Sequence, residues 1–252
     1  MNRIGFCARG DDEIAETVSE LKSIAAYPSL DICGMFTHLS KADEELTSKE
    51  NSDNAFTRVQ VERFKRTDRA LLECGIDVTF RHVCNSAAAI GFPEYRFDAC
   101  RLGITLYGVM PSPSADLCPL SPVMKLCTVI SHIHSLPKGE SVSYGGRYTA
   151  DSDRLVATIP IGYADGFIRD YSGSELTVIT QSGERRAKVL GRVCMDQCMI
   201  DVTGLDARVG DKVVIFGNDP CELETLAKMA DTIPYECLCL ITSRVPRIVV
   251  NN

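Results

Sequence analysis

His38, Asn85-Ser86 and Arg101-Leu102-Gly103-Ile104 stand where the hydropathy pattern places strand ends. In a parallel βα barrel, catalytic and phosphate-binding groups collect at the C-terminal ends of strands. Ser86 opens a helix, and Gly103 lets backbone approach a ligand closely, so a hydroxyl and two backbone N–H groups could together cradle a phosphate. The same residues have plainer uses: Ser86 as a helix cap, Gly103 as a packing glycine, His38 as a hydrogen-bonded core histidine. Arg101 resists a plain reading, because it lies between apolar Phe97 and Ile104 and a buried guanidinium needs acceptors. Cys194 and Cys198 are four apart and Cys237 and Cys239 two apart, but no nearby histidine completes either pair, so no metal site is expected.

Alternating helices and strands must position these groups. Asp11 to Ala26 reads as a helix, with an acidic first turn and apolar residues at Ile14, Val18, Leu21 and Ala25, followed by a strand from Ile32 to Leu39. Asn54 to Cys74 reads as a longer helix with Phe56, Val59, Phe64, Leu71 and Leu72 on one stripe. Then come a strand over Val78–Val83, a short helix from Ser86, and a strand near Ala99–Leu106. This is the pattern of βα units on a parallel sheet, about half of the eight that a barrel needs. The stretch from Pro111 to Pro122 is rich in Pro and Ser and marks a boundary. Beyond it, short β-branched runs at 124–134, 155–161, 175–180, 187–193, 198–202 and 212–216 predict an all-β domain. A helix is expected near Leu223–Asp231 and a final strand over Arg244–Val250. The expected class is therefore α/β plus all-β: a partial (β/α) TIM-type barrel over residues 1–115 and a C-terminal β-barrel-like domain over 116–252.

Composition narrows the function. The 252 residues are 45% hydrophobic and carry a net charge of -7, with a pI near 5.2. That balance argues against nucleic acid, whose phosphates need a concentrated basic face. No run approaches the roughly 18 apolar residues of a membrane helix, and the chain shows no secretory leader, so no membrane partner and a cytoplasmic location are expected. The twelve cysteines are scattered through apolar segments, where a free thiol packs as a small hydrophobe.

Several motifs occur together: Arg101-Leu102-Gly103-Ile104-Thr105-Leu106-Tyr107-Gly108, His82-Val83-Cys84-Asn85-Ser86-Ala87-Ala88, Val142-Ser143-Tyr144-Gly145-Gly146, Ile159-Pro160-Ile161-Gly162-Tyr163-Ala164-Asp165-Gly166, Gly191-Arg192-Val193-Cys194-Met195-Asp196-Gln197 and Ile233-Pro234-Tyr235-Glu236. In this number and order they resemble alanine racemase, a pyridoxal-phosphate isomerase that interconverts L- and D-alanine and supplies D-alanine for the cell wall. The resemblance implies that Tyr144 is the catalytic tyrosine, moving the α-proton on the face opposite the cofactor-anchoring lysine. A phenol acts as a base only as its phenolate, so its surroundings must favour that form. The resemblance also implies that His38 neighbours Tyr144, with His82 supporting, and that Arg101 donates to the pyridine nitrogen and leaves it unprotonated. Ser86, the backbone of Gly103 and Ile104, and Tyr235 would hold the cofactor phosphate. Arg3 and the backbone of Met195, with Asp196 alongside, would hold the substrate carboxylate, while Tyr163, Arg169 and Arg192 would line the entry channel. In the family, Tyr144, Met195 and Asp196 reach into a partner subunit's site, which implies a homodimer.

One expected group has no match. The opening Met1-Asn2-Arg3-Ile4-Gly5-Phe6 corresponds to a position after the family's Schiff-base lysine. The nine lysines, Lys22, Lys41, Lys49, Lys65, Lys125, Lys138, Lys188, Lys212 and Lys228, read as helix-surface, loop or outward strand residues. The expectation is a C-terminal racemase portion that is inactive alone and needs an N-terminal segment in trans. Other readings are a non-catalytic dimerising or amino-acid-binding module, and a racemase of serine or another amino acid. Retention of Tyr144, Arg101, Ser86 and Tyr235 together favours the alanine racemase, because a binding module has little use for a proton-transfer tyrosine and a pyridine partner.

Overall fold

The computed structural model describes residues 3–45, 56–112, 118–218 and 220–250. The chain divides into two compact units, one of Met1–Leu106 with Met110–Leu120, the other of Tyr107–Val109 with Ser121–Asn252.

In the first unit, α1 (Asp11–Ala25) precedes β1 (Gly34–Phe36), a short α2 (Ala42–Glu45), α3 (Phe56–Glu73), β2 (Phe80–His82) and α4 (Ser86–Gly91). The expected start of the third helix at Asn54 and Ala55 lies outside the described residues, as do Lys49 and residues 113–117 of the Pro- and Ser-rich boundary. β1 and β2 pair in parallel, with Gly34 opposite Phe80 and Phe36 opposite His82. This is the short parallel ladder that βα alternation calls for. Ile14 and Val18 of α1 pack with Leu71 of α3 and with Val78. A second core joins Val61 and Phe64 of α3 to Leu39, Val83 and the alanines of α4.

One expectation holds only in part and another fails. Of the apolar stripe of α3, Phe64 and Leu71 face inward as expected, together with Thr57, Gln60, Val61 and Thr67, while Phe56 and Leu72 are exposed. Gln60 is buried because its amide donates to Thr37 Oγ1 at 2.9 Å and to the His38 carbonyl at 2.8 Å. No strand forms over Ala99–Leu106; the segment reaches the sheet through single bonds, Asp98 N–H to the Arg81 carbonyl and Arg101 N–H to that of Cys84. Phe97, at φ 45°, turns the chain before it, and a 3-10 turn over Ile104–Tyr107 ends it.

The second unit is built on a seven-stranded antiparallel sheet. Its strands are β3 (Leu126–Val129), β4 (His132–Leu136), β7 (Arg154–Ile159), β8 (Glu175–Thr180), β9 (Gly183–Leu190), β10 (Cys198–Asp201) and β11 (Lys212–Phe216), in the order β3-β11-β8-β9-β10-β7-β4. A small hairpin, β5 (Ser141–Val142) with β6 (Tyr148–Thr149), stands outside this sheet. The single strand expected over Met124–His134 is two strands at opposite ends of the order. They are joined through Ile130 and Ser131, whose N–H groups go to Asp211 and Thr158 respectively. The bend links by two residues the strands that stand at the two edges of the sheet. Val156, Ala157, Leu176, Val178, Ile200 and Val213 are fully buried within it.

α5 (Pro220–Met229) and α6 (Pro234–Leu240) follow. α6 was not expected; Pro234 begins it at a first-turn position that needs no N–H donor. The expected strand over Arg244–Val250 does not form: Ile248, Val249 and Val250 are 80%, 90% and 75% exposed, too bare to be held in a sheet. No helix among the described residues is long and apolar enough to cross a membrane.

Candidate active site

The strand ends of the first unit converge on Arg101. Its Nη1 lies 2.5 Å from His82 Nδ1 and 3.1 Å from the His82 carbonyl. Nη2 donates to the carbonyls of Thr37 at 2.9 Å and Val83 at 3.2 Å, and lies 3.5 Å from His38 Nδ1. The guanidinium also sits 5.3 Å from the centre of the Phe36 ring, which stacks on His82. Three carbonyls, two imidazoles and a ring thus supply the acceptors that this half-buried guanidinium demands. The Nε–H of Arg101, by contrast, makes no hydrogen bond among the described residues.

Both imidazoles are pushed toward the neutral form. Burial, then the charge of Arg101, lowers the pKa of His82; burial, Arg101 and then Arg3 lower that of His38. A cation facing each Nδ1 makes that nitrogen the acceptor, so the ring proton resides on Nε2 in both. Burial lowers the pKa of Arg101 as well, yet a guanidinium remains charged.

Beside this cluster, Ser86 is buried and its Oγ accepts from the Gly103 N–H at 2.8 Å and from Thr105 Oγ1 at 3.2 Å. Ser86 is not the helix cap: Asn85 is, its side chain accepting from the Ala88 N–H at 3.0 Å. Nor is Gly103 a packing glycine. It has no positive φ, and a Cβ there would meet only Ser86 Oγ, at 3.9 Å. The backbone at Gly103 is thus open to close approach, and the Ser86 hydroxyl proton remains available as a donor of the kind a phosphate requires, while the Gly103 N–H is taken up by Ser86 Oγ. Gln60 and Phe36 were missed as positioning residues. Gln60 looked like the polar side of α3, and its role shows only through its partners on the chain after β1.

In the second unit, Tyr144 is 70% exposed in a 3-10 turn between β5 and β6. Ser143 before it has φ 70° and ψ 174°, a region that costs a non-glycine residue roughly 1–3 kcal/mol. It is held there by the backbone of Arg192, to whose carbonyl Ser143 Oγ donates at 2.6 Å and from whose N–H it accepts at 3.0 Å. Gly191, at φ 66°, allows this approach: a Cβ would lie 2.6 Å from Ser143 Cβ. Gly162 likewise abuts the Cys194 carbonyl, 2.3 Å from its absent Cβ. The N–H groups of Tyr163 and Ala164 bond the carbonyls of Cys194 and Met195, so three of the sequence motifs form one interlocked surface. Asp196 pairs with Arg244 at 2.7 Å, and the Met195 N–H bonds to nothing among the described residues. Arg169 lies in a 3-10 turn whose Ser172 Oγ accepts from the Val193 N–H at 3.1 Å. Tyr235 stands in the first turn of α6, 41% exposed.

Comparison with known proteins is consistent across the chain. The model of the alanine racemase N-terminal domain matches residues 1–111, and that of the alanine racemase C-terminal domain matches residues 123–249. The alanine racemase of Clostridium novyi (strain NT) is 38% identical over 259 residues, a match spanning 100% of this chain and 63% of that protein. That of Methanococcus maripaludis is 35% identical, spanning 100% of this chain and 65% of the relative. Among solved structures, alanine racemase from Clostridium difficile 630 in complex with cycloserine is 38% identical with a TM-score of 0.83, covering 94% of this chain and 60% of that one. Alanine racemase from Bacillus anthracis with bound L-Ala-P is 33% identical with a TM-score of 0.85, covering 100% and 62%. The chain thus spans a little under two thirds of the length of these relatives.

Proposed function

The chain belongs to the alanine racemase family, whose enzymes use pyridoxal 5'-phosphate, and from that premise we propose that it carries the cofactor- and substrate-facing groups for interconverting L- and D-alanine. The observation that carries this reading is Arg101: both Nη groups are committed to the protein while its Nε–H is left to donate elsewhere. Such a donor suits a neutral ring nitrogen. The Ser86 hydroxyl beside an unobstructed Gly103 backbone suits a phosphate.

When bound, pyridoxal phosphate delocalises the charge left at Cα after its proton departs. In the proposed assignment, Ser86 and the backbone of Gly103 and Ile104 hold the phosphate together with Tyr235. Arg101 orients the ring through Nε, and neutral His82 and His38 keep the guanidinium fixed. Tyr144 takes or returns the α-proton. Arg3 and the Met195 N–H hold the substrate carboxylate beside Asp196, and Tyr163, Arg169 and Arg192 line the way in. Alanine is preferred over serine as substrate on the strength of the relatives' names. The architecture that goes with this reading is a partial (β/α) barrel over 1–115 and a β domain over 116–252, in a cytoplasmic homodimer.

We place the covalent lysine outside this chain. Of the described lysines in the first unit, Lys22 lies in the last turn of α1, while Lys41 and Lys65 lie over the rings of Phe56 and Tyr95; none bonds the Arg101 cluster. Titrating the purified chain with pyridoxal phosphate, with and without borohydride and followed by intact mass, tests this. Reversible binding that Arg101→Ala abolishes, with no permanent mass gain, is the expected result, and supplying a lysine-bearing N-terminal segment in trans should then yield D-alanine. A borohydride-fixed adduct on one lysine would overturn the placement of the lysine. Failure to bind cofactor at all would overturn the racemase assignment.

A further inference from the structure

Strand β4 stands at one edge of the seven-stranded sheet, with β7 on one side and no strand on the other among the described residues. His132 and His134 are two residues apart on it, so both side chains leave the same face. Their rings lie nearly parallel, at an interplanar angle of 17°, with centroids 5.4 Å apart. His132 is exposed and His134 half-buried. Neither ring makes a hydrogen bond or an ion pair among the described residues, and His134 Nδ1 is enclosed without a partner. Nothing in the fold therefore rewards an imidazole at either place, and an unpaired buried nitrogen carries a cost that an aliphatic side chain would avoid. Opposite them on β7 stand Thr158 and Val156, both uncharged. Arg154, the next side chain along that face, is already committed to Asp151 and Asp201.

Two imidazoles side by side and without other partners are the ligand set of a metal ion. Imidazole suits borderline divalent ions such as Zn2+, Ni2+ and Cu2+. Mg2+ and Ca2+ call instead for carboxylates, and Asp201, on the same face beyond Val156, is taken by Arg154. An ion about 2 Å from each of two nitrogens needs them about 3 Å apart. The exposed His132 is free to swing its ring to that spacing, while the half-buried His134 stays as the fixed partner. Because Nδ1 of His134 is enclosed, its Nε2 is the nitrogen offered. No group of three or more His, Cys, Asp or Glu side chains that could hold a metal occurs among the described residues, so water completes the coordination. We propose that His132 and His134 form a chelating site for a divalent transition-metal ion on the edge strand of the second unit. The site goes beyond the racemase reading and uses none of Arg101, Ser86, Tyr144 or Tyr235, so its failure leaves that reading standing.

Isothermal titration of the untagged full chain with Ni2+ tests the proposal. One saturable site is expected in the wild type, weakened about tenfold or more in both His132→Asn and His134→Asn, since loss of either ring turns a two-point grip into a single one. Cys239→Ser removes an exposed thiol elsewhere and should bind as the wild type does. Amide NMR of the wild type with substoichiometric Ni2+, a paramagnetic ion, gives a measure independent of the variants. The signals of Ser131 to Ser135 and of Thr158, their neighbour on β7, should broaden first. No saturable binding, weakening in only one of the two histidine variants, equal weakening in Cys239→Ser, or earliest broadening away from β4 overturns the proposal.

Discussion

His38 and His82 face one guanidinium, and that constrains their protonation more than burial alone would. Each has its pKa lowered from the ordinary value of 6.5, by burial first and by Arg101 next. Around these rings the charged groups are all cations, Arg101 for both and Arg3 as well for His38, so no carboxylate offsets the effect. The unfolded chain therefore takes up protons that the folded chain refuses. Stability rises with pH wherever the unfolded state binds more protons. The folded state is accordingly expected to lose stability as pH falls below 6.5 toward the lowered values, with no further gain above it. Thermal unfolding of the wild type and His82→Asn between pH 5 and 8 would check this: the substitution keeps an acceptor for Arg101 but cannot titrate, so the acid slope should flatten. An unchanged slope would show that these rings do not set the acid limit.

At the scale of elements, the turn bearing Tyr144 is held by its neighbour rather than by its own hairpin. β5 and β6 have two residues each, and Ser143 is kept in an unfavourable conformation by the Arg192 backbone across from it. Gly191→Ala should break this contact, because the new Cβ meets Ser143 at 2.6 Å and the backbone there is at φ 66°. A loss of about 2–3 kcal/mol in urea unfolding is expected from the clash and the strained φ; a neutral result would mean that the turn can move away freely. The motif glycines were readable as special from the sequence, whereas the partner each one admits was not. Where periodicity was local and strong, as over Asp11–Ala25, Glu175–Thr180 and Lys212–Phe216, sequence and structure agree. Where a tertiary hydrogen bond decided the outcome, they part. Gln60 takes an inward place on α3 that hydropathy would give to an apolar residue, held by its bonds to Thr37 and His38. The β-branched run of 124–134 hides a bend because Ile130 and Ser131 bond to two different strands. Arg101, Ser86 and Gly103 were singled out from residue type and expected strand ends; the structure bonds Gly103 to Ser86 and Arg101 to His82, while the free Nε–H and the lowered pKa of both imidazoles depend on three-dimensional partners that no spacing encodes.

For the molecule as a whole, the bend at Ile130–Ser131 sets an order of events in time. The hairpin of β8 and β9 joins neighbours in sequence, and β4 finds β7 after one short hairpin has been made. β3 must instead wait for β11, which follows only after most of the other strands, before Leu126–Val129 can pair with Lys212–Phe216. Ordering a long loop must precede the contacts that reward it, so distant pairings form slowly. Refolding followed by pulsed amide exchange should protect the β8–β9 amides early and those of β3 and β11 last; simultaneous protection would contradict this order. A chain emerging from the ribosome would thus carry β3 unpaired until Phe216 had been made, and the β3–β11 edge would be the last part of the domain to become safe from proteases.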